Sequence, residues 1–250
     1  MASFHNGAVE ISYFDEGEGE PIVLLHGFAS TKEVNWIYPS WVTTLTRAGR
    51  RVIALDNRGH GQSGKLYDPA GYHTATMADD VRALMDHLGL ARADVMGYSM
   101  GARIGAFLAL NHPQSVRSLV LGGLGIRLVD GVGLPESIAE ALLAPSVDNV
   151  TDKTGRTFRL FAEQTRSDLK ALAACIRGSR QTLTRDEVAA IRAPALVAVG
   201  TKDSVAGSAQ ELAALMANAR ALDIPNRDHM LAVGDKVFKQ GVLDFLKEHR

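Results

Sequence analysis

The sequence predicts an α/β fold: a mostly parallel, twisted, eight-stranded sheet with helices on both faces and a short helical cap inserted after strand 6. Three observations point there. Short apolar, β-branched runs alternate with longer amphipathic stretches, the pattern of strands crossed by helices. Several runs are almost continuously apolar, as strands covered on both faces must be. The alternation stops between about Gly123 and Arg192, where no convincing strand appears.

In chain order the strand runs are Val9–Phe14, Ile22–Leu25, Arg51–Leu55, Asp94–Met96, Val116–Leu121, Ala195–Val199 and Arg220–Ile224. The first strands are expected to form an antiparallel hairpin turning at Glu16-Gly17-Glu18-Gly19. Helical spacing fits Thr76–Leu88, where Met77, Val81, Leu84, Met85 and Leu88 share one face, and also Ala102–Leu110, Ala209–Met216 and Val237–Lys247. In the irregular stretch, Glu136–Leu143, Phe158–Glu163 and Leu169–Ile176 read as short helices. The expected organisation is a core of residues 1–122 and 193–250, with 123–192 as a helical cap too small to bury a core of its own.

Composition narrows the function classes. Across 250 residues, 27 Lys and Arg against 28 Asp and Glu leave a formal charge of −1, which argues against a nucleic-acid binder or a polybasic membrane-surface protein. A single cysteine, Cys175, has no partner for an internal disulfide or a metal cluster. The start, Met-Ala-Ser-Phe-His-Asn-Gly, has no basic segment leading into an apolar stretch, and no apolar run approaches the ~20 residues of a membrane span. The expectation is a soluble, cytoplasmic protein acting on small molecules, with no nucleic acid and no membrane as partner.

The sharpest chemical signal is Gly97-Tyr98-Ser99-Met100-Gly101, where one strand gives way to a helix. So tight a turn strains its central residue and requires glycine at the flanks, and it projects the serine hydroxyl above the sheet. Ser99 also sits at a helix N-terminus, where free N–H groups favour developing negative charge. The bland alternative is an ordinary glycine-flanked turn; the strand before and helix after weigh against it.

Here the chain resembles the α/β-hydrolase fold family over nearly its whole length. Leu24-Leu25-His26-Gly27-Phe28 is similar to the family's oxyanion loop, and Asp56-Asn57-Arg58-Gly59-His60-Gly61-Gln62-Ser63 to the signature turn after the fourth strand. Gly200-Thr201-Lys202-Asp203 resembles the acid turn and Asp228-His229-Met230 the histidine turn. The order of these matches is specific for the fold and much less so for the substrate.

Elementary chemistry selects the same partners. A serine hydroxyl needs a base within hydrogen-bond reach. His5 and His249 lie near the termini, His87 and His112 on or at the ends of helices, and His73 in no pattern. His26 is expected to brace the oxyanion loop, and His60 to be structural within its glycine-rich turn. His229, just after the last strand, remains as base. Asp203 leaves the carboxyl edge directly after its strand and is the expected acid, ahead of Asp130 and Asp228. The backbone N–H groups of Met100 and Phe28 are the expected oxyanion donors. Leu124, Ile126 and Leu128 follow the sixth strand and are expected on the pocket wall, with Arg127 meeting a substrate carboxylate or facing solvent. Trp36 and Met230 join the pocket, although Trp36, Ile37 and Tyr38 equally suit packing under the cap. No phosphate-binding or dinucleotide fingerprint and no metal-ligand spacing is present, so neither cofactor nor metal is expected.

The expected reaction is acyl transfer on a small-to-medium carboxylic ester through an acyl-enzyme. The resemblance also admits carbon–carbon or enol-lactone hydrolysis, a pyruvate-eliminating synthase, a cofactor-free perhydrolase, and a ligand-binding receptor on the hydrolase scaffold.

Overall fold

The computed structural model describes residues 2–131 and 134–249. Eight strands build one sheet: β1 (Ala2–Asn6), β2 (Val9–Glu16), β3 (Glu20–Leu25), β4 (Arg50–Leu55), β5 (Ala93–Tyr98), β6 (Val116–Gly122), β7 (Ala195–Gly200) and β8 (Ala219–Ile224). Their spatial order is β1-β2-β4-β3-β5-β6-β7-β8. From β4 to β8 every pairing is parallel, whereas β2 runs against both of its neighbours.

The continuously apolar strands divide their side chains between two faces. In β3, Ile22 and Leu24 join a cluster with Trp41, Leu45, Phe238 and Phe245. Val23 and Leu25 join the opposite cluster with Val81, Leu84, Ile104 and Leu108. The helices α1 (Trp41–Arg47) and α10 (Lys236–Glu248) therefore cover one face. The helices α2 (Thr74–His87), α3 (Met100–Asn111) and α9 (Ala209–Ala213) cover the other. Between β6 and β7 lie α4 (Arg127–Asp130), α5 (Glu136–Leu143), α6 (Lys153–Gln164), α7 (Leu169–Gly178) and α8 (Arg185–Ala189), with no strand among the described residues. Ile138, Leu142, Leu172 and Cys175 of these helices extend the second cluster rather than forming a separate one. None of the described helices is long and apolar enough to cross a membrane.

The expected hairpin at Glu16–Gly19 does not form. β2 pairs with β4, and β4 separates it from β3. The reason lies in burial: Ile22 to Leu25 are wholly inaccessible and need partners on both sides, while Glu10, Asp15 and Glu16 keep β2 near the edge. The glycines serve the crossing instead. Gly19 has φ +101°, and a Cβ there would sit 2.3 Å from the Gly49 carbonyl oxygen. The actual hairpin joins β1 to β2, with Asn6 opposite Val9.

Two helix lengths also differ from the periodic pattern. α6 begins five residues earlier than its apolar spacing indicates because Asp152 caps it, accepting from the Gly155 N–H at 2.6 Å. α9 stops early, since Leu215 and Met216 tighten to i−3 carbonyls at 3.1 Å each.

Candidate active site

The strand order reverses around β3 and β5, so the loops leaving their carboxyl ends diverge and open a crevice. Four such loops carry Phe28, Ser99, Asp203 and His229. β5 ends at Tyr98 and α3 starts at Met100, which leaves Ser99 alone to turn the chain, at φ 55° and ψ −113°. Sterics enforce the glycines on either side. A Cβ on Gly97 would lie 2.2 Å from the Gly101 oxygen, and one on Gly101 would lie 2.0 Å from the Leu25 oxygen. The turn is locked from below by the Ser99 N–H, which donates to the Gly122 carbonyl at 2.8 Å.

The loops after β7 and β8 are tied to each other. The Thr201 N–H donates to Ile224 at 3.0 Å, the Lys202 N–H to Arg227 at 2.9 Å, and the Asn226 N–H to the Thr201 hydroxyl at 2.8 Å. This pairing brings together Asp203 and His229, 26 residues apart in the chain. Oδ1 of Asp203 accepts the Val205 and Ala206 N–H groups at 2.8 and 3.0 Å. Oδ2, fully buried, is left for Nδ1 of His229 at 2.8 Å. A carboxylate only accepts, so Nδ1 carries the proton and Nε2 presents its lone pair. Nε2 faces the Ser99 hydroxyl at 3.0 Å, and Ser99 Oγ–H donates to it. The other two aspartates stand apart. Asp228 caps its own turn by accepting the Met230 and Leu231 N–H groups, and Asp130 lies 3.9 Å from Arg127.

Across from the histidine, Met100 opens α3, so its N–H has no preceding helical turn to bond. The Phe28 N–H, in the loop after β3, has no acceptor among the described residues. That loop is held rigid. Gly27 N–H donates to Asn35 Oδ1 at 2.9 Å. His26 bridges two loops: Nδ1–H donates to Gly27 O at 2.7 Å, while Nε2 accepts the Asn57 N–H at 2.9 Å. These bonds fix a neutral ring, in keeping with burial lowering its pKa. Behind it, Asp56 accepts from the wholly buried Lys32 ammonium at 2.6 Å and from the Lys32 and Gln62 N–H groups at 2.9 Å each. Burial works to raise the Asp56 carboxyl, but these donors hold it below the usual carboxylate range.

Two cavities meet at Ser99. The larger, of about 440 Å³, includes Phe28, Met100, Arg103, Leu124, Arg127 and Phe158 in its wall. The smaller, of about 160 Å³, includes Tyr98, His229, Met230 and Val233. Leu124 lines the larger cavity and Met230 the smaller, and Arg127 lines the larger one while half exposed. Trp36, Ile126 and Leu128 do not line either cavity. Trp36 is inaccessible, edge-on to Trp41 with ring centroids 6.3 Å apart, and belongs to the core under the sheet. Ile126 and Leu128 are buried because the chain enters α4 there, and a helical turn abolishes the every-second-residue alternation that groups them with Leu124.

Three groups escape sequence reasoning. The Tyr98 hydroxyl donates to the His229 carbonyl at 2.6 Å and pins the histidine loop over the Ser99 turn. Its signal is present in hindsight, an aromatic hydroxyl immediately before the serine. Asn35 has no signal, because it braces Gly27 from a loop without periodicity. Arg103 is buried and lines the larger cavity, with its guanidinium donating to carbonyls of Gln181 at 2.8 Å and Arg127 at 2.9 Å. Burial pulls it down to about 10.

The sequence profile of the alpha/beta hydrolase fold matches residues 20–170. The chain belongs to the α/β-hydrolase family. Over 92% of its length it is 30% identical to RutD of Variovorax paradoxus, a candidate carbamate hydrolase, and covers 92% of that protein. It is 31% identical to the dihydrolipoyllysine-residue acetyltransferase component of the acetoin cleaving system of Pseudomonas putida. That match takes in 92% of this chain but spans only 64% of the relative's length. Among solved structures, a hydrolase from Pseudomonas aeruginosa PA01 superposes with a TM-score of 0.81 at 26% identity, over 98% of this chain and 97% of that one.

Proposed function

We propose that the chain is a serine hydrolase that cleaves small-to-medium carboxylic esters through an acyl-enzyme. One observation carries the reading: Asp203, His229 and Ser99 form an unbroken hydrogen-bonded chain, at 2.8 and 3.0 Å, beside two main-chain N–H groups with no acceptor among the described residues. Ser99 Oγ attacks the ester carbonyl as its proton passes to Nε2 of His229. Asp203, still ionised, stabilises the imidazolium and holds its tautomer. The N–H groups of Met100 and Phe28 receive the charge that develops on the carbonyl oxygen, a contribution of ~10²–10³ in turnover per donor in comparable sites. The imidazolium then protonates the leaving alkoxide; a water that gives its proton to the same nitrogen attacks the acyl-enzyme, and that proton returns to Ser99 Oγ as the acyl–oxygen bond breaks and the acid leaves. Every proton is handled by one histidine, and neither metal nor cofactor enters the scheme.

Residues 123–192 act as the cap, and Phe158 reaches from α6 into both cavities. A cytoplasmic setting fits a single buried cysteine without a disulfide partner. Carbon–carbon, enol-lactone, pyruvate-eliminating and perhydrolytic chemistry would use the same three residues, and a receptor would keep them without turnover. Acid release from ethyl butyrate separates the enzyme from the receptor. The parent protein is expected to turn over, and Ser99→Ala to lose activity by about 10⁶-fold, the scale seen when a triad serine is removed. Equal rates in the two proteins would remove Ser99 as nucleophile.

A further inference from the structure

The two cavities differ in one chemically decisive respect. Ser99, Phe28 and Phe158 border both, but His229 borders only the smaller and Met100 only the larger. Resting on the serine-hydrolase reading, the geometry points to a fixed seating of the substrate: its acyl chain in the larger cavity and its alcohol in the smaller one. The preferred substrates are then esters of bulky acids with small alcohols, and Phe158 is the partition that enforces this.

The argument follows the proton. The leaving oxygen takes its proton from Nε2 of His229, and proton transfer requires heavy-atom distances near 2.6–3.2 Å. The alcohol therefore leaves on the histidine side, where the wall is Tyr98, Val34, Val233 and Met230. With the carbonyl oxygen on the Phe28 and Met100 N–H groups, the acyl chain has the opposite side, under Leu124, Ile176 and Phe158. Capacity separates the two. The larger cavity, about 440 Å³, has nearly three times the room of the smaller, about 160 Å³. The partition is aromatic and braced, since the Phe158 and Phe28 ring centroids lie 5.9 Å apart. Phe158 itself is only partly buried, so truncating it opens the two cavities to each other without emptying the core.

Two isomeric esters, ethyl octanoate and octyl acetate, test this with composition held constant. The parent protein is expected to show kcat/KM for ethyl octanoate at least about tenfold above that for octyl acetate, the scale at which pocket fit discriminates apolar chains. Phe158→Ala is expected to raise octyl acetate turnover and shrink that ratio. A ratio at or below one, with both activities lost in Ser99→Ala, overturns the seating while the serine-hydrolase reading stands. An unchanged ratio in Phe158→Ala overturns the partition. Absence of Ser99-dependent turnover of either ester overturns the underlying reading and this inference with it.

Discussion

At the scale of single residues, the site depends on side chains that are held neutral as much as on those that carry charge. His60 sits behind Phe28, edge-on to it with ring centroids 5.7 Å apart. Nδ1 donates to the Arg58 carbonyl at 3.0 Å, and Nε2 is buried without a partner among the described residues. Burial pushes this ring down to about 3. An unfolded histidine titrates near ~6.5. Between those values the unfolded chain holds a proton that the folded chain refuses, so folding stability falls as pH drops from ~6.5 toward about 3. The expected slope is about 1.4 kcal/mol per pH unit from this residue. Urea unfolding at pH 7, 6 and 5 should show a steeper loss in the parent than in His60→Gln. Parallel lines for the two would refute the neutral, buried state.

At the scale of elements, what was legible depended on whether local pattern or tertiary pairing decides the outcome. The Ser99 turn is readable because its sterics are local: a strand, one strained residue and a helix, with glycines where the backbones touch. Gly101→Ala puts a methyl group 2.0 Å from the Leu25 oxygen, against backbone that cannot yield. Chemical denaturation is expected to show a loss of more than ~3 kcal/mol, at the upper end of overpacking costs. A loss under ~1 kcal/mol would mean that the β3–α3 approach is looser than described. The β2–β3 connection was misread for the converse reason. A glycine-rich turn between two apolar runs looks the same whether its strands pair or a third strand slides between them, and burial of β3 decides. The wall residues Ile126 and Leu128 were misplaced because four residues of α4 are too few to announce a helix by periodicity. Trp36 had no pattern to separate an entrance from a core position, and the sheet underside claimed it.

At the scale of the molecule, the sheet works as an aligner. Parallel strands send four loops to one edge, and pairing between the β7 and β8 loops sets Asp203 against His229. The Tyr98 hydroxyl ties that assembly to the serine turn, while His26 and Asn35 fix the opposing donors. The convergence of residues 99, 203 and 229 was foreseeable because each follows a strand at its carboxyl end. The bracing groups were not, since hydrogen bonds between distant loops leave no spacing in the sequence. The cavities are likewise a property of the whole, since Phe158 of α6 and Ser99 after β5 line both of them.

The central claim is that Ser99 is a nucleophile activated by His229. Stoichiometric labelling with a fluorophosphonate, located by peptide mass spectrometry, tests it most directly. Phosphonylation is expected on Ser99 alone, with one label per chain, none in Ser99→Ala and labelling slowed by several decades in His229→Ala, as loss of a triad base implies. Label on another residue, or equal labelling rates in the parent and His229→Ala, would contradict the account.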